Sequence, residues 1–325
     1  MSTHWVLETG TDPVATVQAF LYGLFAQGEL DAMLVPIRTG DPARSEPHVV
    51  QDAAALADAD PLLPMMTANA ARLAVETMRR HPGWRFAAVL HACELRALNE
   101  LLTHEEAAAH PPLLIGLDCL GTFPEDAFPF KSSPDRWIDE SLQFARQGGV
   151  AIYRYRPACQ MCVEPLPQNT DLTIELLGLP ARRVIMVEVR NAQHVEQFGI
   201  EAITDRRADP GLIEQRERVR QQVRARRTHA KERITQTLST ELAMDVDTLL
   251  EHLEGCAPCQ ACLNACPIAA TRGTSILTRE DVIEWLAACA GCGMCEAACP
   301  EHLPLAAIFA RIHDELNEAT LQPAP

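Results

Sequence analysis

Eight of the 12 cysteines stand in two copies of one spaced run near the end of the chain. Each copy reads C-x2-C-x2-C-x3-C-P, and the second closes at Pro300 as the first does at Pro267. Three closely spaced thiolates can hold three corners of an iron-sulfur cube, and the fourth serves the other cube in two-cluster domains. The spacing therefore predicts two 4Fe-4S clusters, the first on Cys256, Cys259, Cys262 and Cys299, the second on Cys289, Cys292, Cys295 and Cys266.

A pair of zinc sites is the alternative chemistry for such runs. Structural zinc is held tetrahedrally, often by two C-x2-C pairs. Zinc needs only two cysteines from each knuckle, so it has no use for the third cysteine of a run or for the proline after the fourth. The spacing favours iron-sulfur clusters over zinc.

Four further cysteines lie outside the two runs: Cys93, Cys119, Cys159 and Cys162. Each comes at or just after the end of a predicted strand, and such ends share one rim in an open α/β sheet. Cysteine is also among the residue types most often buried as ordinary core packing. Because there are four thiols, including a C-x2-C pair, we predict a third 4Fe-4S cluster at that rim.

Three other polar residues flank the same rim: His91, His110 and Asp118. A single histidine in such a place is more often hydrogen-bonded packing than a ligand or a proton carrier. Asp118 either ends a strand or tunes a cluster from behind its neighbour Cys119. The chain has no dinucleotide fingerprint, Walker A loop, nucleophile elbow or H-E-x-x-H pair, so the sequence assigns no catalytic residue.

Strand and helix patterns alternate over the first two hundred residues and must position the four outlying cysteines. Apolar runs predict strands at 5–9, 31–37, 85–91, 112–118, 149–156, 171–178 and 183–190. Amphipathic periodicity predicts helices at 14–28, 69–83, 93–104 and 135–149. This alternation predicts the α/β class, an N-terminal α/β sheet domain followed by a mainly helical two-cluster ferredoxin-like domain.

The predicted domains are an α/β domain at 1–205, an Arg-rich helical linker at 206–250 and a helical dicluster domain at 251–325. Ten Lys or Arg residues lie between Arg206 and Arg233. They are typical of a solvated helix with Glu to Arg pairs, or alternatively of a docking face for an acidic partner. Thr278 and Asp281 form a capping-box signature, which predicts a helix leading into the second cysteine run.

The overall charge and the start of the chain limit the possible partners and location. The formal charge is −16, which argues against nucleic acid or an anionic membrane as the main partner. The first residues lack a signal-peptide pattern and no apolar run reaches the length of a membrane span, so we expect a cytoplasmic protein. In a reducing compartment, clustered thiols are more often metal ligands than disulfides.

Four segments together carry a family resemblance, in this order: CELRALNEL, LLIGLDCLGT, YRPACQMCVEPLPQNTDLTIELLG and CAGCGMCEAACPEHLPLAAIFARI. Their order, from about residue 85 to 315, resembles the beta subunits of deazaflavin-coenzyme-dependent formate dehydrogenases and hydrogenases. The resemblance implies that the four outlying cysteines hold the family's sheet-domain cluster and that the repeat is its dicluster tail. It also implies an FAD in the α/β domain that exchanges a hydride with the deazaflavin.

The same resemblance implies an oxidoreductase subunit in a hetero-oligomer. Its electrons would pass between the flavin or a hydride-type coenzyme and a catalytic partner with a formate dehydrogenase or hydrogenase site. This chain departs from its relatives before the first helix. Where those relatives have a Gly-Gly-containing turn, this chain has Pro13, Val14 and Ala15 near the corresponding positions. Glycines let a backbone approach a cofactor closely. The alternative is therefore a flavin-free, ferredoxin-like adaptor that wires two larger redox enzymes.

Overall fold

The computed structural model describes residues 2–27, 30–40, 44–103, 111–124, 134–148, 154–239, 247, 251, 259–269 and 278–321. In this part of the chain, a mixed eight-stranded sheet carries helices on its faces and leads into a helical C-terminal part. The predicted fold class is confirmed.

The strands are β1 (Thr3–Glu8), β2 (Ala32–Thr39), β3 (Arg44–Val50), β4 (Phe86–His91), β5 (Leu113–Leu117), β6 (Leu172–Glu175), β7 (Val184–Val189) and β8 (Arg206–Arg207). The first helices are α1 (Pro13–Ala26), α2 (Ala71–Arg80), α3 (Ala92–Leu102), α4 (Pro134–Arg146), α5 (Pro157–Met161), α6 (Ala192–Gln197) and α7 (Ile200–Ile203). The later helices are α8 (Pro210–Ser239), α9 (Ala261–Ala265), α10 (Arg279–Ala287), α11 (Met294–Ala297) and α12 (Leu305–Leu321).

The sheet has a parallel centre between antiparallel edges. Its strand order is β3-β2-β4-β5-β6-β7-β1-β8, and the β2–β4, β4–β5 and β5–β6 pairs are parallel. The β4–β5 register pairs His91 with Leu117, so the segments that follow β4 and β5 leave the sheet side by side. Cys93 and Cys119 each follow two residues later, at the rim where parallel strands end.

Alternate residues of the central strands enter two different apolar clusters. Ala87 and Val89 of β4 pack among residues of β1, α1 and α4, on one face of the sheet. Ala88 and Leu90 face the other way, towards α2 and α3. Burial on both faces explains why the central strands are almost entirely apolar.

The C-terminal cysteine segment packs directly against the second of these faces. Leu263, Trp285 and Phe309 belong to the same apolar cluster as Leu90 of β4. The predicted capping box is confirmed at the start of α10. Thr278 Oγ1 accepts from the Asp281 amide at 3.1 Å, and Asp281 Oδ2 accepts from the Thr278 amide at 3.1 Å.

Helix α8 covers much of the predicted linker and is fastened to the sheet domain. Arg216, Val223 and Arg227 are buried on its inner side. Arg216 Nη1 donates to Asp118 Oδ2 at 2.7 Å, and its Nε donates to Glu175 Oε1 at 2.6 Å. These contacts differ from a fully solvated helix, because Arg216 of the basic stretch is buried and meets carboxylates at the ends of two strands. The domain boundaries themselves stay a prediction.

A pH-dependent contact joins β1 to this ion-pair group. His4 Nδ1 lies 3.0 Å from Glu175 Oε2, and this hydrogen bond is the main cause that raises the pKa of His4 above 6.5. Because protonation favours the folded state here, the contribution of His4 is complete below pH 6.5 and is lost as the pH rises through the raised pKa.

We therefore expect the His4→Gln variant to lose more thermal stability, relative to the parent, at about pH 5.5 than at about pH 8.5. Thermal midpoints measured anaerobically at both pH values check this. His48→Gln, on the exposed face of β3, is the control for removing a histidine. An equal loss for His4→Gln at the two pH values would contradict the prediction.

Candidate metal centre

The four cysteines outside the repeated runs line one cavity at the rim of the sheet. Cys93 stands at the start of α3, Cys119 follows β5, and the C-x2-C pair Cys159 and Cys162 lies on and just after α5. Cys292, from the second run, lines the same cavity. The space between these side chains is about 20 Å³. Three separate segments of the sheet domain thus bring together the four predicted ligands.

A buried carboxylate fixes the turn that carries Cys93. Glu94 accepts hydrogen bonds from the Ala70 amide at 3.0 Å and the His91 amide at 2.8 Å. The His91 ring lies 2.9 Å from the same side chain, so His91 is hydrogen-bonded packing, as predicted. The other predicted histidine, His110, lies outside the described residues.

Cys119 is held through its backbone and its neighbour. Its amide donates to the Pro165 carbonyl at 3.0 Å. Asp118 accepts from the Leu176 and Leu177 amides at 2.8 and 2.9 Å, and also from Arg216. Two roles were predicted for Asp118, and these contacts agree with the first, in which Asp118 ends the strand and binds neighbouring backbone.

Burial disfavours ionisation of two of these thiols, those of Cys93 and Cys119. Burial is the main cause that raises the pKa of Cys119 to about 12, and nearby Cys159 and Cys162 add to it. Burial likewise raises the pKa of Cys93, with Cys119 and Cys292 among the further causes. A metal group bound here must therefore displace protons, as thiolate ligation requires.

Three arginines surround the cavity. Arg96 Nη2 donates towards Cys162 Sγ at 3.9 Å. Arg156 and Arg227 line the cavity itself and are only 5% and 3% exposed. Arg227 donates to the Cys162 and Leu120 carbonyls at 3.4 and 3.5 Å. Within the described residues, no carboxylate forms an ion pair with any of the three.

Two of these arginines also have buried nitrogens without a partner in the described part of the chain, Arg156 Nη2 and Arg227 Nε. Burying a charge without compensation is costly, and so is leaving a buried donor unsatisfied. Four thiolates around a 4Fe-4S core carry a net negative charge that such donors could stabilise. The donor set and its surroundings therefore fit an anionic iron-sulfur group.

The second cysteine run gathers the fourth cysteine of the first. Helix α9, ahead of Cys266, packs against α11. Burial is the main cause that raises the pKa of Cys295, and Cys292, Cys289 and Cys266 add to it. Cys266 thus lies beside the other three, as the interleaved assignment requires, although ligation itself stays a prediction.

Two N–H groups point at sulfurs of this second set. Trp285 Nε1 donates to Cys266 Sγ at 3.2 Å, and the indole is fully buried with its ring edge-on to Phe309. The Gly291 amide donates to Cys289 Sγ at 3.4 Å. Hydrogen bonds to sulfur are among the factors that set the potential of an iron-sulfur cluster.

The other predicted set is described only in part. Cys256 lies outside the described residues. Cys259 is exposed, while Cys262 and Cys299 are half-buried beside the apolar cluster that joins the C-terminal segment to the sheet. Of the two C-terminal sets, this one has the more exposed cysteine.

The sheet-domain cavity and the second run touch each other. Gly293 has φ +70°, and a Cβ there would lie 2.4 Å from Cβ of Ala158, the residue before Cys159. A glycine is thus required both by the backbone and by the close approach. Arg96 also spans the gap, since its Nε donates to the Ala290 carbonyl at 3.1 Å.

The predicted FAD region around the start of α1 forms a separate, polar cavity of about 490 Å³. Its acidic lining residues are Asp12, Asp58, Asp60, Asp135 and Asp139, against Arg38 and Arg182. Asp12 already accepts from the Ala15 amide in the first turn of the helix at 3.0 Å. Arg38 pairs with Asp60 and Asp135, and Arg182 pairs with Asp139, so carboxylates outnumber arginines and the lining disfavours a pyrophosphate such as that of FAD.

A second hollow adjoins it, with a volume of about 880 Å³. It presents Arg146, Arg182 and Arg183, of which Arg182 forms an ion pair with Asp139. The two hollows differ in charge, and neither carries a glycine-rich turn.

The described residues lack both a compact site for a single metal ion and a membrane-spanning helix. No three His, Cys, Asp or Glu side chains there converge closely enough to hold a single metal ion. None of the described helices combines the length and the apolar character needed to cross a membrane.

Comparison with known proteins gives a likeness of fold. No protein-family model matches the chain, and no curated protein matches it. Among solved structures, it resembles a chain of the F420-reducing [NiFe] hydrogenase complex from Methanosarcina barkeri, studied by xenon derivatization. The match has a TM-score of 0.50 at 12% sequence identity and covers 72% of this chain and 91% of that one. At this identity, the likeness shows a shared fold.

The site also contains residues that the sequence did not single out. Arg156 immediately precedes the segment with Cys159, but nothing in its local pattern distinguishes it from a surface arginine. Arg227 lies in the basic stretch interpreted as solvated or as a docking face. Arginine is mostly exposed in proteins, so its burial beside thiols becomes apparent only in the folded chain.

Proposed function

We propose that this protein is an iron-sulfur electron-transfer subunit of an oxidoreductase complex, carrying three 4Fe-4S clusters. The observation that carries the proposal is the rim cavity, where four cysteines from three segments meet three arginines that form no ion pair with a carboxylate among the described residues. Ordinary packing of buried cysteines explains the thiols but not the uncompensated positive charge.

The clusters supply one-electron chemistry when bound, and the chain's part is to hold and space them. The proposed sets are Cys93, Cys119, Cys159 and Cys162; Cys289, Cys292, Cys295 and Cys266; and Cys256, Cys259, Cys262 and Cys299.

The direct contact of the rim cavity with Cys292 supports a row of clusters. We propose that the row leads from the sheet domain to the exposed Cys259. The solved structure with a similar fold is a chain of a hydrogenase complex. On that fold-level likeness and the motif resemblance, we propose a catalytic partner subunit of the formate dehydrogenase or hydrogenase type, in a hetero-oligomer, with a hydride-type coenzyme or flavin at the other end.

Metal analysis of the anaerobically purified protein tests the proposal. We expect about twelve irons and about twelve acid-labile sulfides per chain, with electron paramagnetic resonance (EPR) signals after reduction by dithionite. About eight irons would remove the rim cluster from the proposal. Stoichiometric zinc without sulfide would contradict the whole of it.

A flavin-free adaptor is the second candidate, favoured by the acidic cavity at the start of α1. Such a chain carries electrons between two enzymes without exchanging a hydride. Denaturing the native complex and each separated subunit, then measuring flavin fluorescence, distinguishes the candidates. Flavin released from this chain supports the hydride-exchanging subunit, whereas iron without flavin supports the adaptor.

A further inference from the structure

Arg156 lies between the rim cavity and the second cysteine run. Its Nε donates to Thr122 Oγ1 at 2.7 Å, and its Nη1 donates to Met294 Sδ at 3.3 Å. Met294 stands between Cys292 and Cys295 of the second run. The Arg156 amide also donates to the Thr122 carbonyl at 2.9 Å, which fixes the backbone of the arginine against Thr122. One guanidinium is therefore shared by both sites.

Thr122 extends this contact to a rim cysteine. Its hydroxyl is 2% exposed, and Thr122 Oγ1 lies 3.3 Å from Cys159 Sγ. Because the oxygen already accepts from Arg156, its own proton is free to be donated. A ligating thiolate only accepts hydrogen bonds. Arg156 therefore donates to Thr122, and Thr122 donates to Cys159.

The charge of Arg156 also acts on the second run. Arg156 and Cys292 line the same cavity, so the guanidinium lies close to this cysteine of the second run. The Arg156 side chain has no carboxylate partner among the described residues, and its Nη2 is buried without a partner. Its positive charge is therefore not neutralised locally and acts across a medium that screens weakly.

We propose that Arg156 and Thr122 are positioning residues that favour electron addition to a cluster held by the rim cysteines and couple this site to that of Cys292. The inference rests on the proposed function. Adding one electron makes a site more negative by one charge without making or breaking a bond, and the electron comes from the neighbouring cluster. A nearby fixed positive charge and a hydrogen bond to sulfur both favour the more negative state.

Thr122 offers a matched pair of variants. Thr122→Val keeps the shape and removes the hydroxyl, whereas Thr122→Ser keeps the hydroxyl. For the EPR signal that Cys119→Ala removes, we expect Thr122→Val to lower the equilibrium constant for reduction about tenfold, which is about 59 mV for one electron. Thr122→Ser should retain the parent's midpoint, and the signal of the Cys292 site should stay in place in both variants.

Arg156 tests the coupling. Arg156→Gln should move the midpoints of both sites to more negative potentials, while Arg156→Lys, which keeps the charge, should move them less. Midpoints come from EPR-monitored redox titration, with iron measured on the same samples. Should Arg156→Gln fail to hold iron, the Thr122 pair decides the proposal.

Failure of this inference and failure of the proposed function give different results. About twelve irons with identical midpoints in Thr122→Val, Thr122→Ser and the parent would overturn the inference and leave the proposed function intact. Loss of iron from Thr122→Val but not from Thr122→Ser would also overturn it, since the hydroxyl would then serve binding rather than potential. About eight irons in the parent itself would instead remove the rim cluster from the proposed function.

Discussion

Replacing Cys119 with alanine should lower the iron content from about twelve to about eight per chain. Cys119 is buried in its cavity, so solvent does not easily replace its thiolate, and Cys292, which lines the same cavity, is assigned to the other set. Three remaining thiolates leave one corner of a cube without a ligand, while the positive charge of Arg156 and Arg227 stays in place. We expect complete loss of the cluster rather than a small change in its potential.

Iron and sulfide analysis and EPR of anaerobically purified Cys119→Ala measure this effect. Cys295→Ala is the matched control, because it is an equally buried cysteine in the other set. It should also remove about four irons but eliminate a different EPR signal. Retention of all iron in Cys119→Ala, or loss of the same signal from both variants, would contradict the separate rim site.

The cysteine sets show which ligands local sequence patterns can predict and which they cannot. Each C-terminal run is defined within twelve residues, so its spacing alone carries the chemical prediction. The rim set spans residues 93 to 162, and only the strand pattern indicated that its members share an edge. The β4–β5 register supplies the physical reason, since it delivers Cys93 and Cys119 from neighbouring parallel strands.

Edge elements of the sheet were missed for a related reason. Strand β3 was not predicted, because RSEPHVV contains proline and charged residues rather than a regular apolar alternation. Such residues are tolerated at a sheet edge, where one side of the backbone is unpaired. Strand β8 is two residues long and exists through its pairing with β1, which no local pattern reveals.

The prediction of a strand at 149–156 has a mixed outcome. Residues 149–153 lie outside the described residues, and 154–156 form a turn ahead of α5. Tyr155 contributed to the apolar pattern that predicted this strand. In the structure it packs edge-on against Phe123, with 4.7 Å between ring centroids, and does not belong to the sheet. Residues 240–246 and 248–250 of the predicted helical linker also lie outside the described residues.

The buried arginines were beyond prediction for a different reason. Pattern analysis assigns an arginine to the surface by default, since burial is costly unless a counter-charge is present. For Arg216, the counter-charges are Asp118 and Glu175, which come from residues far away in the sequence. The structure thus divides the basic stretch into an inner row that binds the sheet domain and an outer row that meets solvent.

Replacing Arg216 with methionine should be among the most destabilising single changes in this chain. The side chain is 4% exposed and donates to both Asp118 and Glu175. Burial tends to raise the pKa of Glu175, but His4 and Arg216 outweigh it and the pKa is lowered. Removing one member of a buried ion pair costs about 3–5 kcal/mol, because the remaining charge is left uncompensated.

Thermal unfolding under anaerobic conditions measures the loss, which should lower the midpoint by at least about 5 °C. Arg224→Met is the control, because Arg224 lies on the same helix and its ion pair with Glu164 is exposed on the arginine side. An exposed pair contributes about 1 kcal/mol or less, so this control should shift the midpoint only slightly. Equal shifts for the two variants would contradict a structural role for the buried group.

Neutralising the carboxylates separates lost charge balance from lost packing. In Arg216→Met combined with Asp118→Asn and Glu175→Gln, no uncompensated charge remains at the ends of β5 and β6. We expect this triple variant to recover part of the lost stability, because buried pairs replaced as a unit cost far less than broken ones. Since Asp118 directly precedes Cys119, iron analysis of the same variants also shows whether α8 supports the rim ligands. Arg216→Met should lose iron from the rim site alone, and the triple variant should regain it.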